Sequence, residues 1–415
     1  MSAQYTAYKQ RISAIIIDIS MNEIKKLLVL HWQPIIAVGL GLVVVTALLW
    51  FRLGTITPAL SQPEIATITA SSSWSEIKSD PLYLPFKLPM FVLQTIGHDS
   101  IVALRSVGAA FGLITAVLFY ILLRQWHTKR IATIGSALFI TSSWFLQTSR
   151  LAAPYILYPL GIVLLCVLLY LMQKSRFSRL SFLTTAIVFA TVVYIPGMVW
   201  FVVACIFWQY KEIMSYLKKL PVWLVVAGCI LALAMIAPLA YVSFYNLRVL
   251  LGIFAIPMQF EPIEWIRRLL IIPTFLLARG PLDPVINLGR LPLLDIFSAT
   301  MALLGIYWYC FKLKLLRTRI LILFTIISVV LIMLNGTLFL QLLMPMAYIV
   351  ITAGIMLLLQ QWFTVFPTNP IARILGIIVI AAAISITGVY HVRRYYVAWS
   401  GDPVTRATFS HQAQE

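Results

Sequence analysis

The sequence predicts an all-α protein: a polytopic membrane bundle of about eleven transmembrane helices, with amphipathic surface helices in its first extracytoplasmic loop. Three observations lead there. Of 415 residues, 61% are hydrophobic and 11% charged, against about 25% charged in a soluble domain. Apolar runs recur at lengths approaching the ~20 residues that cross a bilayer. Lysines and arginines sit mostly in short clusters between those runs, as the positive-inside rule expects. The same distribution turns the net charge of +18 away from nucleic acid. A β-barrel is excluded, because its strands are ~10 residues of alternating polarity.

Residues 1–33 set Lys9, Arg11, Lys25 and Lys26 around Ile12, Ile15, Ile16 and Ile17. They read as a basic amphipathic segment on the cytoplasmic membrane surface, or as a frayed tail. No small-residue cleavage site follows, so no removable signal peptide is expected. The transmembrane domain covers 34–396. Its first span, Pro34 to Trp50, follows basic residues, which places the N-terminus in the cytoplasm and the loop 53–97 outside. In that loop Ser61-Gln62-Pro63-Glu64 has the S-x-x-E form of a capping box. A surface helix is expected from there to about Lys78, ended by Asp80-Pro81. A Pro-interrupted segment, Leu82 to Ile96, follows.

Further spans are expected near 101–123, 131–148, 155–172, 180–195, 197–209 and 222–244. The second large extracytoplasmic loop covers 246–292. Within it Glu261, Glu264, Arg267 and Arg268 alternate with Ile263, Ile266, Leu269 and Leu270, an amphipathic helix in which Glu264 can pair with Arg268 at i,i+4. The last spans fall near 295–311, 320–334, 338–359 and 373–390, and 397–415 reads as a polar C-terminal tail. Discontinuous helices are expected at Gly252 and Pro257 alone. Cys166, Cys205, Cys229 and Cys310 all lie in apolar runs and read as packing residues.

Few motifs carry chemistry. The five histidines have no HxxH or HExxH spacing, and there is no P-loop and no GxSxG elbow. No metal ligands are assigned. A divalent metal stays open with no ligand spacing to support it, and no cofactor is assigned. Arg105 and Arg150 lie near span ends, where they can snorkel. No buried acid or histidine is evident of the kind a proton-coupled transporter uses. The first outer loop remains, with Glu64, Glu76, Asp80 and Lys87, and Asp99 just after it. Sugar transfer from a lipid phosphate needs a carboxylate at the acceptor, cations for the leaving phosphate and an apolar groove for the lipid. Glu64 can supply the first. Lys87, Arg105 and Arg150 can supply the second. Asp80 and Asp99 are secondary candidates. Glu64 can equally be no more than a helix cap, and Lys87 can snorkel to the headgroups.

These residues resemble the C-type glycosyltransferase (GT-C) superfamily, closest to its bacterial protein-mannosyltransferase and aminoarabinose-transferase-like branch. The resemblance runs through Arg52-Leu53-Gly54, Pro63-Glu64, Asp80-Pro81-Leu82-Tyr83 and Lys87-Leu88-Pro89, and is plainest from Ile96 to Ala152, with Met344-Pro345 late in the chain. It implies an integral plasma-membrane enzyme that transfers a sugar from a polyprenyl-phosphate donor. The acceptor would be a lipid, glycan or protein on the extracytoplasmic side. It implies a site where the first loop meets the membrane, with membrane lipids as neighbours. The sequence departs from the family twice. One acid, Glu64, stands where members often carry two. Ala153-Pro154-Tyr155 stands where many members carry an acid after the span-three arginine. The alternatives are a lipid or solute transporter, or a non-catalytic relative in envelope assembly.

Overall fold

The structure, a computed structural model, describes residues 36, 38–173 and 179–410. The amphipathic segment 1–33, the start of the first span and most of the basic run from Lys174 lie outside the described residues. The chain divides at Phe51/Arg52 into two units. The first contributes one described apolar helix, α1, Val38–Trp50.

The regular structure of the second unit is all helical, with no strand among the described residues. Six of its helices are long and apolar enough to cross a membrane: Ile101–Trp126, Pro154–Leu171, Val222–Tyr245, Leu316–Asn335, Thr337–Val365 and Pro370–Trp399. Four shorter apolar helices, α1 among them, accompany these. The protein is a helical membrane protein; among the described residues, six of the eleven expected spans are full-length helices.

The first loop folds into three helices: α2 (Gln62–Thr69), α3 (Trp74–Ser79) and α4 (Leu84–Thr95). A single helix to Lys78 was expected. The run Ala70-Ser71-Ser72-Ser73 breaks it, because serine hydroxyls compete for nearby backbone groups. Ser71 Oγ donates to Thr67 O at 2.7 Å, and Ser73 Oγ caps α3 by accepting from Glu76 N at 3.2 Å. Asp80 ends α3 as expected.

Helix α5 (Ile101–Trp126) starts on Ser100, whose hydroxyl accepts from Ala103 N. The expected span 131–148 is two helices, α6 (Lys129–Thr141) and α7 (Ser143–Ser149). The break falls on Ser142, not on a glycine or proline. Its backbone is extended (φ −62°, ψ 138°). Its hydroxyl donates to Phe139 O at 2.7 Å and accepts from Phe145 N at 3.1 Å. One side chain thus closes one helix and opens the next.

Helix α8 (Leu157–Gln173) packs on α5, and the chain continues through α9 (Arg179–Val192), α10 (Met198–Trp208), α11 (Tyr210–Leu217), α12 (Val222–Tyr245), α13 (Leu247–Phe254), α14 (Pro262–Leu277), α15 (Ile296–Cys310) and α16 (Leu316–Asn335). Between α7 and α8, residues 149–151 pass so close to α5 that a Cβ on Gly108 would collide with the Leu151 carbonyl. Stacked rings fill the centre: Phe119 on Phe139 at 4.1 Å, Phe139 on Phe145 at 4.6 Å, and Tyr348 edge-on to Phe139 at 5.5 Å. Helices α15 (Ile296–Cys310) and α17 (Leu343–Val365) cross through Gly305 and Gly354. A Cβ on either would meet the other helix's backbone, the small-residue contact that lets membrane helices approach.

In the second loop, helix α14 (Pro262–Leu277) forms as expected, but its pairing differs. Glu264 takes Arg267 at i,i+3 (3.3 Å), while Arg268 donates to Leu334 O at 3.0 Å. Of the four free cysteines, Cys166 and Cys205 are buried and Cys229 and Cys310 are exposed, so only the first two serve packing. Helix α18 (Pro370–Arg393) continues through Trp399, and α19 (Pro403–Thr408) follows. The stretch read as a polar tail folds back as far as it is described: Trp399, Thr405 and Phe409 are buried.

Candidate functional site

The first-loop candidates meet the ends of α5, α7 and α18 at one end of the second unit, which we call the loop end. Glu64 is fully buried there. Its Oε2 accepts from Ser61 N at 2.9 Å, Ser61 Oγ at 3.0 Å and Arg105 Nη2 at 3.1 Å. Its Oε1 accepts from Arg105 Nε at 2.8 Å and Ala152 N at 3.0 Å. The capping box and the long-range pairing coexist on one carboxylate. Arg105, expected to snorkel, is 1% exposed and also donates to Leu53 O and Ala59 O. Few lone-pair positions on Glu64 remain for a substrate. The geometry suits a carboxylate that fixes the loop against α5 and the turn after Arg150.

Arg150 is likewise buried rather than snorkelling. Its guanidinium lies 5.0 Å from the Tyr395 ring centre and 4.7 Å from that of Tyr396, a cation held on aromatic faces. Phe409 closes over the neighbouring Arg105 at 5.8 Å and stacks edge-on against Trp399.

Lys87 is buried and donates to Asp80 O at 2.6 Å and Asp80 Oδ2 at 3.0 Å. Its charge is therefore engaged within the loop. Tyr83, between them, adopts left-handed backbone geometry (φ 59°), a strained state for a non-glycine residue. It is held by Tyr83 N to Tyr194 O at 2.8 Å and by its hydroxyl on that of Tyr158 at 2.8 Å. Burial pushes the Tyr83 phenol up to about 12. Asp99 is exposed and joins none of these contacts.

A carboxylate that sequence reading placed only in a turn also reaches this end. Asp283 and Glu64 are both within electrostatic reach of the Tyr155 phenol. Asp283 is half-buried, and its Oδ1 accepts from Val285 N at 3.0 Å. Burial pushes its carboxyl above the usual range, against the lowering effect of that hydrogen bond. Its turn is pinned by buried groups: Trp399 Nε1 donates to Pro284 O, Arg394 Nη2 to Asn287 Oδ1, and Asn287 Nδ2 to Pro281 O. An acid from the second loop thus comes near Tyr155, in the segment where the sequence itself has none.

The expectation of no buried acid or histidine does not hold. His391, in α18, is 1% exposed. Its Nε2 lies 3.2 Å from Asp295 Oδ1 and its Nδ1 lies 3.1 Å from Ser143 Oγ. Thr387 Oγ1 donates to Asp295 Oδ2 at 3.2 Å. Asp295 also accepts from Phe297 N and Ser298 N at the start of its helix. The imidazole thus bridges the Asp295 carboxylate, through Nε2, and the Ser143 hydroxyl, through Nδ1. Ser143 lies inside the expected span 131–148, Asp295 opens the expected span 295–311 and His391 follows the expected span 373–390; no local signal links them.

Among the described residues, no group of three or more His, Cys, Asp or Glu is placed to hold a metal ion. No family model matches the chain, and no curated protein matches it.

Proposed function

We propose that the protein is a membrane glycosyltransferase that passes a sugar from a polyprenyl-phosphate donor to an acceptor at its loop end. The observation that carries the reading is the convergence there of Glu64 and Arg105, Arg150, and Asp283 beside Tyr155, drawn from separate parts of the chain. In this reading the six long and four shorter apolar helices, with the broken pair α6–α7, make eleven crossings. The loop end faces outward, the N-terminus lies in the cytoplasm, and the membrane is the plasma membrane. Of the two roles expected for Glu64, orienting carboxylate fits its five hydrogen bonds and acceptor base does not. Asp283 takes the base role, since a carboxyl raised by burial is the better proton acceptor near neutrality. It removes the acceptor hydroxyl proton as that oxygen attacks the anomeric carbon. The bond from that carbon to the phosphate oxygen breaks with inversion. Arg150, between its tyrosines, faces the charge left on the phosphate, and Lys87 holds the loop through Asp80.

The test is transfer from a polyprenyl-phosphate sugar in proteoliposomes, with mass spectrometry of co-purifying lipid. Asp283→Asn should lower transfer on the order of 10²- to 10⁴-fold with the folded protein's thermal midpoint retained at neutral pH. A near-normal rate would remove the base, and a protein that retains no polyprenyl phosphate would remove the donor.

A specific observation favours a second reading. The buried His391–Asp295 pair with Ser143 is the type of intramembrane group that carries protons in transporters. Flux of a lipid or solute driven by a pH gradient, and abolished by His391→Gln, would establish it over the first.

A further inference from the structure

Helix α18 and its continuation form one wall of a groove of about 620 Å³, with Leu288 and Leu291 of the second loop opposite. Its helical wall is apolar and open: Ile386, Val389 and Val397 are 70%, 59% and 63% exposed. One face of the same turn is engaged elsewhere. Tyr395 and Tyr396 lie on Arg150, and Arg394 donates to Pro292 O, Asn287 Oδ1 and Leu291 O. Arg393 is the groove's other cation. It is exposed and makes no hydrogen bond or ion pair among the described residues.

An apolar trough with one uncommitted cation fits an amphiphile with a negative head. From Arg393 down to Ile386 the helix rises about 10 Å, roughly a third of the ~30 Å hydrocarbon core. That length holds the upper part of one acyl chain, with the remainder in the bilayer. Only 17% of the most apolar stretch of this span is buried, so a bilayer lipid reaches the groove directly. The Arg150 cluster lies across the same helical turn, on the Tyr395 and Tyr396 side, and a carrier phosphate bound there has no need of Arg393.

We propose that this groove binds an anionic glycerophospholipid, its phosphate on Arg393 and one acyl chain along Val389 and Ile386. The site goes beyond the transfer reading and does not depend on it. The test uses the full chain, delipidated in mild detergent and titrated separately with phosphatidylglycerol, phosphatidylcholine and a polyprenyl phosphate, with bound lipid counted by native mass spectrometry. Phosphatidylglycerol should bind about fivefold tighter than phosphatidylcholine, from one surface cation. Arg393→Gln should abolish that preference. Ile386→Trp, at an exposed position, should weaken both phospholipids by filling the trough. An equal affinity for the two phospholipids, or a preference that survives Arg393→Gln, would overturn the proposal. Tighter binding of polyprenyl phosphate that is lost in Arg393→Gln would assign the groove to the carrier and overturn it equally.

Discussion

Glu64→Gln replaces one oxygen of a saturated carboxylate by an NH₂ group. The five hydrogen bonds accepted by Glu64 divide three to Oε2 and two to Oε1. If the amide oxygen keeps the Oε1 partners, the NH₂ group faces Ser61 N–H and Arg105 Nη2, donor against donor. If it keeps the Oε2 partners, the clash moves to Arg105 Nε and Ala152 N. Either way Arg105, 1% exposed, loses its counter-charge in a buried site. Breaking one side of a buried pair costs about 3–5 kcal/mol, a large share of the ~5–15 kcal/mol that typically holds a fold. A pure helix cap predicts a different outcome, because glutamine serves at that position of a capping box. The assay is a double-mutant cycle of Glu64→Gln and Arg105→Met, read by equilibrium unfolding in detergent. The single change should destabilise by about 3 kcal/mol or more, and the pair should show a coupling of roughly 0.5–3 kcal/mol. A Glu64→Gln protein within ~0.5 kcal/mol of wild type, the range of an ordinary surface change, would refute the argument. So would a coupling near zero.

Two further outcomes follow from other parts of the fold. His127, just past the end of α5, is buried against Met356 Sδ at 3.4 Å, and burial, with the Arg317 charge, lowers it to about 4. A histidine depressed in the folded state adds stability that is fully present above its unfolded value near 6.5. That stability is lost as pH falls from there towards 4. The unfolding free energy should therefore fall across that window, by up to about 1.4 kcal/mol per pH unit, and His127→Gln should flatten the profile; an unchanged profile would exclude His127 as the cause. Gly354→Ala should set a methyl against the Met301 carbonyl of α15 and destabilise by about 1–3 kcal/mol; an unaltered unfolding midpoint would mean that the α15–α17 crossing is looser than described.

Much of the fold was legible because hydropathy is local. Among the described residues the long apolar runs became helices, with 131–148 split at Ser142, since a backbone in hydrocarbon must satisfy its own hydrogen bonds. The S-x-x-E pattern at Ser61 also worked locally. It could not show that Glu64 would serve Arg105 as well, 41 residues on. Whether Arg105 and Arg150 snorkel or bury depends on what covers them, and the cover comes from Tyr395, Tyr396 and Phe409 near the other end of the chain. The His391 network is less legible still. Its members are separated by 96 and 248 residues, and helix packing alone brings them together. The break at Ser142 lacked the usual glycine or proline signal, because a hydroxyl that bonds both half-helices does the same work.

The interrupted helix also bears on how the chain is made. α6 has 13 residues and rises about 20 Å, short of the ~30 Å hydrocarbon core. In the eleven-crossing reading proposed above, α7 completes that crossing; its Trp144 and Thr148 both donate to Gln341 Oε1, at 2.7 and 2.8 Å, while Ser143 meets His391. Gln341 lies 197 residues beyond Trp144. At ~5–20 residues per second, the ribosome needs roughly 10–40 s to deliver it. During that interval the Trp144 indole N–H lacks Gln341 and the Ser143 hydroxyl lacks His391. In that reading the third crossing enters the membrane without these partners and gains them only once Gln341 and His391, both in the last third of the chain, have been synthesised.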